Sequence, residues 1–248
     1  QIKAHLTRRF STEHLPPVER MRDYIQALQA IWNCWQSGTR LNYQGKYYKH
    51  DLMIPYYNPG PLRHKPPPIY LAAINKLMCQ LCGECADGHL PGDPITDKWF
   101  TEVMLPNLEI GAKKAGRELK ELDLGSYGFI GTSKTNDGLE KVRKGLKERV
   151  ALYASTPEYK KVLDLHGWDV NLSDFIEMAR AKKWAEMGNL VSDDMLEAYA
   201  VVANPEDLPA ALKKRFGDYV SRVQVDETWF DGLSDEETAN LVTAIKHI

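Results

Sequence analysis

The chain holds 248 residues, 43% hydrophobic and 27% charged, with 32 basic against 34 acidic side chains and a net charge of −2. It is long enough to bury a sizeable core, and its charge balance excludes the strongly basic surface that nucleic acid or an anionic membrane would select. No apolar run approaches the ~20 residues that span a bilayer, and four cysteines, three of them at 79–85, do not make a secreted disulfide framework; the expectation is a cytoplasmic protein with a small-molecule partner, no nucleic acid and no membrane.

Residues 1–10 (QIKAHLTRRF) carry no start signal of their own. Pro16-Pro17 leads an amphipathic helix to about residue 36, with Val18, Met21, Tyr24, Ile25, Leu28, Ile31, Trp32 and Trp35 on one apolar face. Ser37-Gly38 stops it. Residues 43–48 (YQGKYY) read as a turn between two short extended pieces, and the seven glycines and prolines of 54–68 exclude helix there.

The stretch 66–91, PPPIYLAAINKLMCQLCGECADGHLP, organises the rest. A strand at 69–73, a helix at 75–85 and a second strand around Gly88 form a βαβ unit, whose crossover makes the pair parallel. Ala72-Ala73-Ile74-Asn75 sits where parallel α/β folds bind ligands, at a strand's carboxyl end beside a helix N-terminus. Two alanines permit close approach and Asn75 can cap the helix; an ordinary turn packed with small residues is the competing reading. Thr96 or Asp97 then caps a helix to about 115, closed by Gly116, and 122–132 (LDLGSYGFIGT) reads as a third strand. Helices follow from Asn136 to about 153, from Pro157 to about 166, over 173–187 and over 193–199, with Asp193-Asp194 as a cap. Asn204-Pro205 starts another, to Phe216; 219–225 (YVSRVQV) alternates as the last strand, and Ser234 caps a terminal helix. Alternating strands and helices mean α/β with a parallel sheet.

Cys79, Cys82 and Cys85, followed by His89, invite comparison with an iron–sulfur run. Their interleaving with Leu77, Met78 and Leu81 in a helical pattern favours small core residues instead, so no metal is expected. The histidines form no metal-ligand pair, and there is no nucleophile elbow, Walker loop or dinucleotide fingerprint. Asp87 reads as a turn residue.

Taken together, PPVERMRDYIQALQAIW, PPPIYLAA, GECADGHLP, EVMLPNLEIGAKKAGR, YASTPEYKKVLDLHGW, KWAEMGNLVSDDMLEAYAVVANPEDL and RVQV resemble, in order, the luciferase-like flavin and deazaflavin oxidoreductases, most of all the branch that uses coenzyme F-420. The resemblance implies a (β/α)8 TIM barrel, incomplete here: one partial barrel domain over 1–248, beginning past the fourth strand, supplying about strands five to eight, with a helical insertion at about 135–200. It implies hydride transfer between F-420, or FMN, and a small organic substrate, with an FMN-dependent monooxygenase as one alternative and a non-catalytic binding fragment as another. His5 falls where the family contacts the coenzyme ring, and it is the candidate proton donor. Ala72, Ala73, Ile74, Asn75 and Lys76 match the phosphate-holding segment; Gly88, His89, Leu90 and Pro91 match the segment after the next strand. Where the family reads small-Gly-Pro this chain has Ile74-Asn75-Lys76, so Lys76 offers phosphate a charge, against the reading of a solvated helix-start lysine. Barrels of this family commonly pair, which makes a homodimer an expectation.

Overall fold

The computed structural model describes residues 3–246; Gln1, the start expected just past a fourth strand, lies outside them. After one π-helical turn at His5–Arg9, helix α1 (Pro17–Ser37) begins on a proline, whose missing N–H is no loss there, and ends at Gly38 in the left-handed region. Ile25, Ala27 and Cys34 are its buried apolar side chains, whereas Tyr24, expected on the same face, is 44% exposed and lies against Tyr48. Strands β1 (Tyr43–Gln44) and β2 (Lys49–His50) form an antiparallel hairpin as expected. Asp23 fastens it to α1: its buried carboxylate accepts the Tyr47 and Tyr48 N–H groups and the Tyr43 hydroxyl.

Next come β3 (Tyr70–Leu71), α2 (Lys76–Cys85) and β4 (Gly88–His89), the βαβ unit read from the sequence. Asn75 is the N-cap residue but its side chain makes no capping bond. Thr96 does cap, accepting from Trp99 N at 3.2 Å. The single helix expected over 97–115 is α3 (Asp97–Trp99), a π-helical turn at Phe100–Met104, and α4 (Leu105–Lys114). Pro106 cannot donate into the ladder, and the wider turn lies just before it.

The strand expected at 122–132 is two strands, β5 (Asp123–Leu124) and β6 (Phe129–Ser133). Between them Gly128 takes φ +74° and turns the chain from one sheet into another; a Cβ there would strike the Tyr199 carbonyl. Helix α5 (Asn136–Ala154) is capped by Thr135, α6 (Lys160–His166) ends at left-handed Gly167, and α7 (Leu172–Arg180) and α8 (Trp184–Met187) replace one expected helix, which breaks at Lys182, φ 58°. Helix α9 (Asp193–Tyr199) is capped by Ser192, and the two aspartates occupy its first turn instead. Three elements finish differently from the sequence reading. Strands β7 (Ala200–Ala203) and β8 (Phe230–Asp231) were not anticipated, and 219–225 is no strand: it joins the sheet through the single bridge Gly125↔Arg222. Helix α10 (Leu208–Phe216) lies between β7 and that segment, and α11 (Asp235–Ile245) starts on a Ser234/Glu237 capping box.

Two three-stranded parallel sheets result, β3-β4-β5 and β7-β6-β8, in place of one continuous four-stranded sheet. The first is in register Tyr70↔Gly88↔Asp123 and Leu71↔His89↔Leu124. Leu71, Ala73, His89 and Leu124 are buried with the helices, while Tyr70, Ala72, Leu90, Asp123 and Arg222 keep some or all of their exposure. The alternation of a pleated strand therefore gives this sheet one packed face and one open face. One apolar core, with Phe100 and Tyr127 stacked at 4.3 Å, runs under both sheets.

Candidate functional site at the strand ends

Residues 72–76 and 88–91 do come together. Past Leu71 the chain leaves the sheet, and two ring N–H groups take over its carbonyls. His89 Nε2 meets Ala73 O at 2.7 Å, and Trp99 Nε1 donates to Ile74 O at 3.2 Å. A carbonyl only accepts, so His89 carries its proton on Nε2, and its buried Nδ1 has no partner among the described residues. The ring is fully buried beside Phe100, and burial lowers its pKa below the ordinary histidine value, so it is neutral.

The surface is made by the other members. Ala72, Asn75 and Lys76 are exposed, and Ile74 is half-buried. Leu77 and Leu90 add exposed apolar area. The N–H groups of Ile74, Asn75, Lys76 and Leu77 find no acceptor among the described residues. Four free donors in sequence at an uncapped helix start, beside a small exposed side chain, are suited to an anion.

Four predicted residues do not present side chains to this surface. Ala73, Gly88, His89 and Pro91 are buried. Gly88 is small because the Tyr70 ring occupies the place of its missing Cβ, not to admit a ligand. His5 is exposed on its π-helical turn, and no hydrogen bond or ion pair of the described residues ties it to the strand ends. Sequence reasoning missed Trp99, though a buried tryptophan whose N–H must find an acceptor was the available signal.

Two other groupings surround the sheet. On its open face Asp123 accepts from Tyr70, from Ser221 at 2.5 Å and from Arg222 at 2.7 Å. Burial works against ionisation, but these bonds outweigh it and hold the carboxyl at about 2. The three thiols of α2 do not gather around a point. Cys82 donates to Leu71 O and Gly88 O, Cys85 donates to Leu81 O, and burial pushes Cys79 and Cys82 up to about 12. No group of three His, Cys, Asp or Glu side chains among the described residues is arranged to hold a metal ion. Asp87 accepts the Ile69 N–H, the turn role expected of it. Two clefts lie elsewhere, one of about 610 Å³ between Lys134, Asn204, Glu237 and Asn240 and one of about 730 Å³ lined by Asp97, Arg143, Glu197 and Arg215.

Comparison with known proteins bears on what this arrangement belongs to. An uncharacterised protein of Mycobacterium tuberculosis is 35% identical over 223 residues, covering 90% of this chain and 66% of its own length. The 5,10-methylenetetrahydromethanopterin reductase of Methanopyrus kandleri is 30% identical over 203 residues, covering 81% of this chain and 56% of its own. The solved structure of the coenzyme F-420-dependent tetrahydromethanopterin reductase from that organism superposes with a TM-score of 0.71 at 23% identity, over 95% of this chain and 64% of the other; at that identity the likeness concerns the fold. The chain thus spans about two thirds of these relatives or less. A family model described as luciferase-like monooxygenase matches residues 1–222, and with nine tenths of its length so matched the chain belongs to the luciferase-like monooxygenase family.

Proposed function

We propose that the chain carries the coenzyme-phosphate side of an F-420-dependent oxidoreductase acting on a small organic substrate. The observation that carries this is the turn at 74–77, with four free N–H groups beside exposed Ala72, in a family whose relatives of known activity include a methylenetetrahydromethanopterin reductase. The three parallel strands and the segment bridged to them suit an incomplete (β/α)8 barrel, with helices α5 to α9 as the insertion.

The residues present fit a phosphorylated ring cofactor. The N–H groups of Ile74, Asn75, Lys76 and Leu77 would hold phosphate, and the Lys76 ammonium would add a charge. This replaces the glycine approach of the family: side chains on Ile74 and Asn75 keep the backbone slightly further off, and the lysine offsets that loss. Leu77 and Leu90 would exclude water along the tail. When bound, a deazaflavin supplies two-electron hydride transfer; His5 is assigned as a polar contact to the ring. Phe100 and Trp99 keep the turn from shifting as ligand arrives.

Titration of the chain with F-420, following deazaflavin fluorescence and melting temperature, tests this, with FMN in parallel. At about 100 times Kd a single site stabilises by about 2.7 kcal/mol, which for this length is a rise of roughly 5–10 °C. Lys76→Ala should weaken F-420 binding about tenfold without lowering the melting temperature of the free chain. A response to FMN alone would support the monooxygenase alternative; no response to either would leave only an interaction module.

A further inference from the structure

We infer that Trp99 and His89 are positioning residues that aim the N–H groups of the phosphate turn, a reading that rests on the assignment of residues 74–77 as that turn. In a trans peptide the C=O of one residue and the N–H of the next point in opposite directions. His89 draws the Ala73 carbonyl inward at 2.7 Å, and that directs the Ile74 N–H outward. Trp99 draws the Ile74 carbonyl inward at 3.2 Å, and that directs the Asn75 N–H outward. The next two N–H groups, of Lys76 and Leu77, are free because α2 starts there without a side-chain cap. Two inward carbonyls thus set a run of outward donors.

The two rings are themselves held. His89 is fully buried and Trp99 is 7% exposed. Trp99 donates its backbone N–H to Thr96 Oγ1, and His89 follows Gly88 in β4, in register with Leu71 of the strand that leads into the turn. From beneath, the Cys82 thiol bonds Leu71 O and Gly88 O, tying α2 to both strands. A turn without these anchors would spread its peptide planes over many orientations, and ligand binding would then have to order them. The sole proton of the His89 ring is committed to Ala73, and its unpartnered Nδ1 leaves no second donor to compete.

Trp99→Phe tests this because it keeps an aromatic ring while deleting the donor, and the binding split below separates that loss from the smaller volume of phenylalanine. Amide hydrogen exchange on the ligand-free chain should show Met78 and Cys79, whose N–H groups bond the Asn75 carbonyl at the end of the turn, exchanging about five- to tenfold faster, the effect of one lost hydrogen bond, with α4 and β6 unchanged. Binding should split in the same way. The affinity for F-420 falls about five- to tenfold, while the affinity for the deazaflavin that lacks the phosphate tail does not change. His89→Phe, which removes the second donor, should reproduce both effects; if it fails to fold, Trp99→Phe alone decides. Unchanged exchange at Met78 and Cys79 overturns the inference, and so does equal weakening of the two deazaflavins, which would mean general loosening. Should the parent chain bind neither deazaflavin, the proposed function fails on that result, and the exchange measurement still decides the positioning role.

Discussion

Helices α2 and α4 cross backbone to backbone, and one methyl group tests how much that crossing matters. A Cβ added at Gly83 would stand 2.9 Å from both the Leu108 carbonyl carbon and the Ala112 nitrogen, and closer still to the Leu108 oxygen. The reverse contact is as tight: a Cβ at Gly111 would stand 2.8 Å from the Gln80 carbonyl carbon and 2.9 Å from the Glu84 nitrogen. Gly83→Ala sets two effects against each other. Helix propensity favours alanine by about 1 kcal/mol. Against it, ordinary contact begins near 3.4 Å, so the helices must separate, and the obstacle is backbone, which cannot rotate away. Overpacking of this kind costs about 1–3 kcal/mol, so the net loss should be about 1 kcal/mol and at most about 2. Urea unfolding with an unchanged m-value should show the loss. Gly111→Ala should cost a similar amount, and the double variant less than the sum, because the first methyl has already opened the gap the second needs. A Gly83→Ala chain as stable as its parent would refute the close crossing, and with it the placement of α2 that sets the turn at residue 76.

Two further outcomes follow from charged groups. Arg22 forks onto Glu84 at 2.5 and 2.8 Å, and that bond, ahead of the opposing burial and the help of Lys114, depresses the Glu84 carboxyl to about 2 from an unfolded value near 4.5. A carboxyl lowered on folding contributes stability above its unfolded pKa and loses it as pH falls through the folded one. Glu84→Gln should therefore cost about 1 kcal/mol at pH 7 and progressively less between pH 4.5 and 2 in urea titrations; a cost independent of pH would sink the ion pair as its cause. Asp23→Ala leaves the Tyr47 and Tyr48 N–H groups without their shared acceptor. Faster hydrogen exchange confined to residues 43–50 is expected, and unchanged protection there would show that the hairpin holds itself.

Local chemistry made much of this chain legible before any coordinates. Pro17 and Gly38 bracket α1, Thr96 caps where a threonine before a helical run should, and Ser234 caps α11; Asn204 instead accepts the Glu206 and Asp207 N–H groups in the turn before α10, whose N-cap is Asp207. Each depends on neighbours a few residues away, and spacing alone reveals it. The βαβ unit and the turn at 72–76 were legible for the same reason, and the family resemblance added the ligand proposed for that turn. What the sequence could not show is where strands change sheet and which way a side chain faces. LDLGSYGFIGT has the composition of one strand, but Gly128 adopts a positive φ only because β6 must leave β5 to pair with β7 and β8. AVVA is too short to separate from the helix before it until β6 lies alongside. His89, read as facing a coenzyme, turns inward because residue alternation in β4 places it with Leu71 and Leu124 on the packed face, where the nearest unsatisfied group is the Ala73 carbonyl. Sequence determined most helices and the caps that start them; pairing partners, distant along the chain, decided the short strands and the faces, because a strand's two sides differ only in what is packed against them.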